Sequence, residues 1–350
     1  MNITFLIGNG FDINCGMKCT YRNAYKGYIN TQSNSSVIEQ FKKRIGEDID
    51  TWADFEVAMA ADMVNYKNEG DFLVCLRDFK KYLNQYLCGE EKKIFNQLNY
   101  MQVMNAVQQE MRNSIVSFYD NVSHNLTAEI GGRIFKEGAH YEVISFNYTS
   151  VFDKIISSIM DVGNVIHIHG KLNDDPVLGM DNLKQLPEIS YRISNKGKRA
   201  FIKSVFNREF DRARVKAAED AIALSDIICV FGMSLGISDQ TWKNLIIQWL
   251  CNTQNTHLFL YNYKCSCLNN LTADERLDYE EDTKRDILKA FELELSKIEY
   301  CESKIHIPCG KNIFNIENAI SQGLNKVQKE QELLNELALS KSAQSVGSLG

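Results

Sequence analysis

Two polar residues stand at the ends of apolar runs that read as buried strands. Asn147 follows Tyr141-Glu142-Val143-Ile144-Ser145-Phe146, and His169 closes Val165-Ile166-His167-Ile168-His169. An asparagine amide both donates and accepts, so at a strand end it can orient a water and a hydroxyl together. An imidazole with an ordinary pKa near 6.5 takes up a proton close to neutral pH. General-base help of that kind is worth about 10²–10⁴-fold in rate. Ligands of open α/β sheets gather at the carboxyl ends of strands, which is where both residues fall. Alternation along a strand turns His167 and His169 to one side. His169, beside Gly170, is the more approachable base, and His167 reads as a buried partner held by the backbone. Both also admit a plainer reading as hydrogen-bonded core histidines.

A third candidate is the loop Gly8-Asn9-Gly10-Phe11-Asp12, which follows the apolar run Ile3-Thr4-Phe5-Leu6-Ile7 and precedes a helical pattern. Glycines allow positive φ and close backbone approach, as a phosphate-cradling turn requires. Ile13 stands where the dinucleotide fingerprint has its third glycine, and no second strand ending in an acid follows, which argues against a hydride-transferring dehydrogenase. A plain tight turn with Asp12 as a helix cap fits the same residues. Gly232-Met233-Ser234-Leu235-Gly236 matches the nucleophile elbow G-x-S-x-G, again after a strand. Asp274, Asp278 and Asp282, then His306, follow in the order of a serine esterase. That reading leaves the glycine loop, Asn147 and His169 without a role.

The elements that must hold these residues are legible in outline. Strands are expected at 3–7, 141–146, 165–169, 227–231, 256–261 and 303–307. Helical patterns lie between several of them, notably 199–224 and 240–251, so the chain reads as α/β with a mostly parallel sheet. From about 37 to 135 the pattern is helical throughout, as at Phe72, Leu76, Phe79, Leu83 and Tyr86, and predicts an inserted helical subdomain. The main domain is read as 1–316, followed by a charged amphipathic helix over 317–340. Residues 341–350, small and polar, read as a disordered tail.

Composition narrows the function classes. Hydrophobic residues make up 44% and charged residues 24% of 350, enough for a real core and too apolar for a disordered chain. The net charge of −6 argues against a uniformly basic nucleic-acid binder, although a local basic patch stays open. The 10 cysteines include several in apolar stretches, such as Cys229, and read as free thiols of a cytoplasmic protein. The close pair Cys265-x-Cys267 lacks a second pair, and no metal is expected. No apolar run is long enough for a signal peptide or a membrane span.

Taken in order, the motifs resemble a known family. Ile7-Gly8-Asn9-Gly10-Phe11-Asp12 followed by Gly16-Met17-Lys18-Cys19-Thr20-Tyr21 resembles the opening of the phage abortive infection AbiH family. Trp52-Ala53-Asp54-Phe55-Glu56 is similar to its W-x-D-x-E element, Phe146-Asn147-Tyr148-Thr149 to its F-N-Y-T element, and Ile166-His167-Ile168-His169-Gly170 to its I-H-G element. Phe231-Gly232-Met233-Ser234-Leu235-Gly236-Ile237-Ser238-Asp239 is similar to its G-x-S-L-x-x-x-D element. The AbiH family is in turn similar to sirtuin-like domains, with a Rossmann-type sheet that binds NAD.

The resemblance implies Asn147 and His169 as catalytic residues of an NAD glycohydrolase acting in anti-phage defence. It implies NAD contacts from Gly8, Asn9, Gly10, Phe11, Asp12, Thr20, Tyr21, His167, Gly232, Ser234 and Asp239. Asp12 would hold a ribose hydroxyl or a water, unless it is only a cap. Of Asp54 and Glu56, one would reach the pocket and the other would cap or face solvent. The departures are Asn9 in place of the usual alanine, Asp12 near the usual serine, and no zinc ribbon. A non-catalytic NAD or ADP-ribose sensor is the alternative. Restraint through the helical insertion, the C-terminal helix or a homo-oligomer, and release by a phage-derived trigger, complete the expectation.

Overall fold

The structure is a computed structural model. It describes all residues except 121, 158, 160–164, 175, 234, 262–271, 291–294, 309–312 and 348–350. Ser234, Cys265 and Cys267 therefore lie outside the described residues.

Six strands form one all-parallel sheet: β1 (Asn2–Ile7), β2 (His140–Ser145), β3 (Ile166–His167), β4 (Ile227–Phe231), β5 (His257–Tyr261) and β6 (Ile305–His306). Their spatial order is β3-β2-β1-β4-β5-β6. A parallel sheet is covered on both faces, so its strands are apolar without alternation. All five residues of β4 are buried, as are five of the six in β1. Ile7 pairs with Ser145 on one side and Phe231 on the other. The chain winds outward from β1 through β2 to β3, then crosses back to β4. This is the Rossmann-like order, and its crevice opens between β1 and β4, where the winding reverses.

Helices α1 (Asn9–Asn14), α2 (Tyr21–Tyr28), α3 (Ser36–Glu47), α4 (Phe55–Asp62), α5 (Glu69–Leu98), α6 (Met101–Ser117) and α7 (His124–Glu137) all lie between β1 and β2. Side-chain caps start several of them: Thr20 before α2, Ser35 before α3, Asp54 before α4 and Asn68 before α5. The helical region has a core of aromatic rings, with Phe55 stacked on Phe79 at 4.2 Å. Phe72, Leu76, Phe79 and Leu83 are buried along α5, on the face their spacing predicts.

Beyond β2 come α8 (Val151–Ile156), α9 (Asn195–Phe201), α10 (Lys203–Phe210), α11 (Arg212–Leu224), α12 (Gln240–Asn252), α13 (Ala273–Ala290), α14 (Leu295–Glu302) and α15 (Ile316–Gly347). Two expectations need correction. The third strand stops at His167 rather than His169, because Gly170 takes φ +77° and its N–H turns back to the His167 carbonyl. The last helix runs to Gly347, past the tail expected from 341. Lys341-Ser342-Ala343-Gln344 offers no breaker, and the first glycine there is Gly347 itself.

One side of the sheet carries an aromatic cluster beneath the glycine loop. Phe314 lies 5.1 Å from Phe231, 5.8 Å from Phe11, 6.0 Å from Phe5 and 6.2 Å from Phe152, ring to ring. The other side is held by Leu6, Ile144, Ile168, Trp242 and Ile246.

Candidate functional site

The crevice between the β1 and β4 ends is a cavity of about 470 Å³, within the usual range for a small-molecule site. Its floor is backbone against backbone. Gly10 donates its N–H to the Gly232 carbonyl at 2.8 Å. A Cβ on Gly10 would meet the Gly232 Cα at 2.5 Å, and Gly232 has φ +72°. Both positions therefore require glycine.

Asn147 leaves β2 and is buried over this floor. Its Nδ2 donates to the Gly8 carbonyl at 3.1 Å, which turns Oδ1 away from the loop, and Oδ1 is buried with no partner. Asp12 is also buried. Its Oδ2 accepts from the Thr149 hydroxyl at 2.6 Å, and its Oδ1 has no partner. Burial lifts the Asp12 carboxyl to about 7, against the pull of the Thr149 hydrogen bond. Asp12 makes no side-chain cap for α1.

His169 sits in the turn after β3. Its Nε2 lies 2.9 Å from Asp239 Oδ1. Despite burial, the neighbouring Lys203 and His169 hold Asp239 well below the usual carboxylate range. An ionised carboxylate only accepts, so Nε2 carries the proton and Nδ1 presents its lone pair. That Nδ1 is buried and has no partner. Burial and the Lys203 charge lower the His169 pKa, which keeps the ring neutral at pH 7.

Lys203, the first residue of α10, completes the cluster. Its Nζ lies 2.9 Å from Glu56 Oε2, 3.0 Å from Asp239 Oδ1 and 3.0 Å from the Ser238 carbonyl. Burial opposes its charge, but Asp239 and Glu56 outweigh that and raise its pKa. The ammonium occupies the point between two carboxylates where a cation is needed. Burial pushes the Glu56 carboxyl up, although Lys203 opposes the shift. Glu56 Oε1 accepts the Gly179 N–H at 3.0 Å. Asp54 instead caps α4 through the Glu56 and Val57 amides, so of the two acids in Trp52-Ala53-Asp54-Phe55-Glu56 one enters the cluster and the other caps.

Gly8, Asn9, Asp12, Thr20, Tyr21, Asn147, His169, Gly232 and Asp239 all line the cavity. Gly10 and Phe11 do not: Gly10 ties the two loops together, and the Phe11 ring is buried in the aromatic cluster. His167 does not line it either. Its Nδ1 meets the Asn147 carbonyl and its Nε2 the Asp153 carboxylate, both at 2.9 Å. His167 thus props Asn147, and because the strand ends at His167 the two histidines diverge. Asn9 faces Cys19, whose thiol donates to its Oδ1, and Thr20 caps α2.

The histidine and the acids of the esterase reading are not brought together. His306 pairs with His257 at 3.1 Å at the amino end of β5, and Asp274, Asp278 and Asp282 are exposed on α13. Sequence reasoning missed Lys203, which follows Ala200-Phe201-Ile202 with no motif to mark it. Thr149, in Phe146-Asn147-Tyr148-Thr149, holds Asp12 through its hydroxyl, a role that no motif marks. Among the described residues no group of His, Cys, Asp and Glu could hold a metal ion, and no helix is long and apolar enough to cross a membrane.

The model of the bacteriophage abortive infection AbiH family matches residues 4–261. The chain belongs to the AbiH family. The match runs from β1 to the end of β5 and takes in every residue of the AbiH cleft described above. Membership implies a role in phage abortive infection. No curated protein and no solved structure matches the chain.

Proposed function

We propose that this AbiH protein hydrolyses NAD to nicotinamide and ADP-ribose, and that NAD loss is how it aborts infection. One observation carries the reading. Three buried acceptor atoms without partners, Asn147 Oδ1, His169 Nδ1 and Asp12 Oδ1, belong to residues lining one crevice at the sheet's switch point. Buried polar atoms are normally satisfied, so three orphans in one cavity call for donors from a ligand. Ribose hydroxyls and a water are such donors. The resemblance to sirtuin-like domains supports the same substrate.

Charge agrees with it. Among the described lining residues, Asp12, Asp54, Glu56 and Asp239 face one ammonium, that of Lys203. Carboxylates suit the cationic nicotinamide ring and the oxocarbenium-like charge that develops as its bond to ribose breaks. They repel phosphate, so the deep cleft suits the nicotinamide riboside end of NAD. In the reaction the C–N bond breaks, its electron pair leaves with neutral nicotinamide, and a water oxygen bonds to the ribose carbon. The water proton passes to His169 Nδ1. Asp239 steadies the imidazolium that forms, and Lys203 fixes Asp239. Asn147 Oδ1 accepts from a ribose hydroxyl or the water and sets its direction.

The test is nicotinamide release from NAD by purified protein, beside Asn147→Ala, His169→Ala and Ser234→Ala. Release that fails in the first two and survives in the third supports the hydrolase over the esterase. A rise in melting temperature with NAD but no release favours the sensor. The absence of both release and a thermal shift sinks the NAD reading.

A further inference from the structure

A second cavity, of about 520 Å³, opens between α5 and the α9–α10 pair. Its chemistry is the reverse of the cleft's. Arg77, Lys80 and Lys81 line it from α5, Lys196 and Arg199 from α9, and no carboxylate is among its described lining residues. Arg199 lies 3.5 Å from Glu209 at the rim, whereas Arg77, Lys81 and Lys196 make no ion pair among the described residues. Five cations around one cavity repel each other and concentrate a strong local potential. The acidic balance of the whole chain does not cancel it, because exposed charges farther off than about 8 Å are largely screened.

The cavity also carries rings. Phe206 and Phe210 of α10 line it with centroids 5.1 Å apart, and Phe210 is 63% exposed. An exposed phenyl ring beside unpaired cations serves no core. The groove and the cleft share no described lining residue, and a gap of about 10 Å³ lies between them beside Leu83, Asn84, Tyr148 and Leu172, room for one water at most. The groove is therefore a site of its own.

We infer that this groove binds single-stranded nucleic acid, with phosphates against the cations of α5 and α9 and bases against Phe206 and Phe210. Cations that track a backbone, beside aromatic faces for bases, are the chemistry of single-strand grooves. Duplexes keep their bases stacked inside and offer nothing to the rings. A free polyphosphate would use the cations and leave the rings idle.

The experiment is fluorescence anisotropy with the full chain and a fluorescein-labelled oligothymidylate of about ten nucleotides. Binding at low salt is expected, weakening with salt at a log–log slope steeper than about −2. The Arg77→Glu/Lys81→Glu double variant, altered only at exposed positions, should lose about tenfold or more in affinity, and Phe210→Ala about fivefold or more. Circular dichroism confirms that both variants fold. No binding at low salt, or binding indifferent to the double variant, overturns the proposal. If inorganic tripolyphosphate competes as well as unlabelled oligonucleotide and Phe210→Ala binds normally, the groove is an anion site and the nucleic-acid assignment is wrong.

Discussion

The cleft and the groove are two cavities of similar size with opposite treatment of charge. In the cleft the charged groups are mostly buried, packed against each other, and left with orphaned atoms. In the groove they are largely exposed, of one sign, and mostly without acidic partners. Burial turns charge into chemistry: it moves Asp12 to about 7, keeps His169 neutral and forces Lys203 between two acids. Exposure leaves charge available for attraction at a distance. One helix serves both, since α10 begins with Lys203 in the cleft and carries Phe206 and Phe210 along the groove.

The sharpest separation comes from His169, the proposed base. His169→Ala should lower nicotinamide release by about 10²–10⁴-fold while oligonucleotide anisotropy stays unchanged. Loss of both would mean the two cavities are one site.

Next comes the ion cluster. Lys203→Met leaves Glu56 and Asp239 facing each other in a buried space, and breaking such a set costs about 3–5 kcal/mol, read by urea denaturation. Adding Glu56→Gln should recover part of the loss. A Lys203→Met protein as stable as the parent would remove the cluster from the account.

A third test uses pH. The native Asp12 carboxyl holds its proton more tightly than the unfolded one, near 7 against 3.8. Above pH 7 the folded state therefore carries a buried charge that destabilises it, and it gains stability as pH falls from about 7 toward 3.8. Asp12→Asn removes that penalty. It should stabilise the protein at pH 8 by up to roughly 4 kcal/mol, with the gain fading toward pH 4. Melting curves across that range decide it, and an equal gain at both ends would contradict the buried carboxyl.

The smallest effect lies in the groove. Phe210→Ala should change stability by less than about 1 kcal/mol, because the ring is mostly exposed, while still weakening oligonucleotide binding. A large drop in unfolding midpoint would reassign Phe210 to the core.

How much of this could be read beforehand differed by element. The sheet was legible because buried parallel strands are continuous apolar runs such as Ile227-Ile228-Cys229-Val230-Phe231. Asn147 was legible because it stands just past the end of β2, and Asp239 because it closes the G-x-S-L-x-x-x-D element. Lys203 was hidden because its partners, Glu56 and Asp239, lie 147 and 36 positions away, and no local spacing announces a buried ammonium. The divergence of His167 from His169 was hidden for the opposite reason. Strand alternation predicted a shared face, but the strand ends two residues early, at His167, ahead of the turn at Gly170. The basic groove escaped notice because its cations are split between 77–81 and 196–199, each unremarkable alone.

The ring of Phe314 has a bearing on when the protein can begin to act. It closes the aromatic cluster on which the Gly8–Asp12 loop rests, yet it is made after every residue of the cleft. A chain still on the ribosome has the cleft's side chains but lacks the ring against which their loop packs. The seat of the glycine loop is thus complete only once residue 314 has been made, well after the last residue that lines the cleft, Asp239.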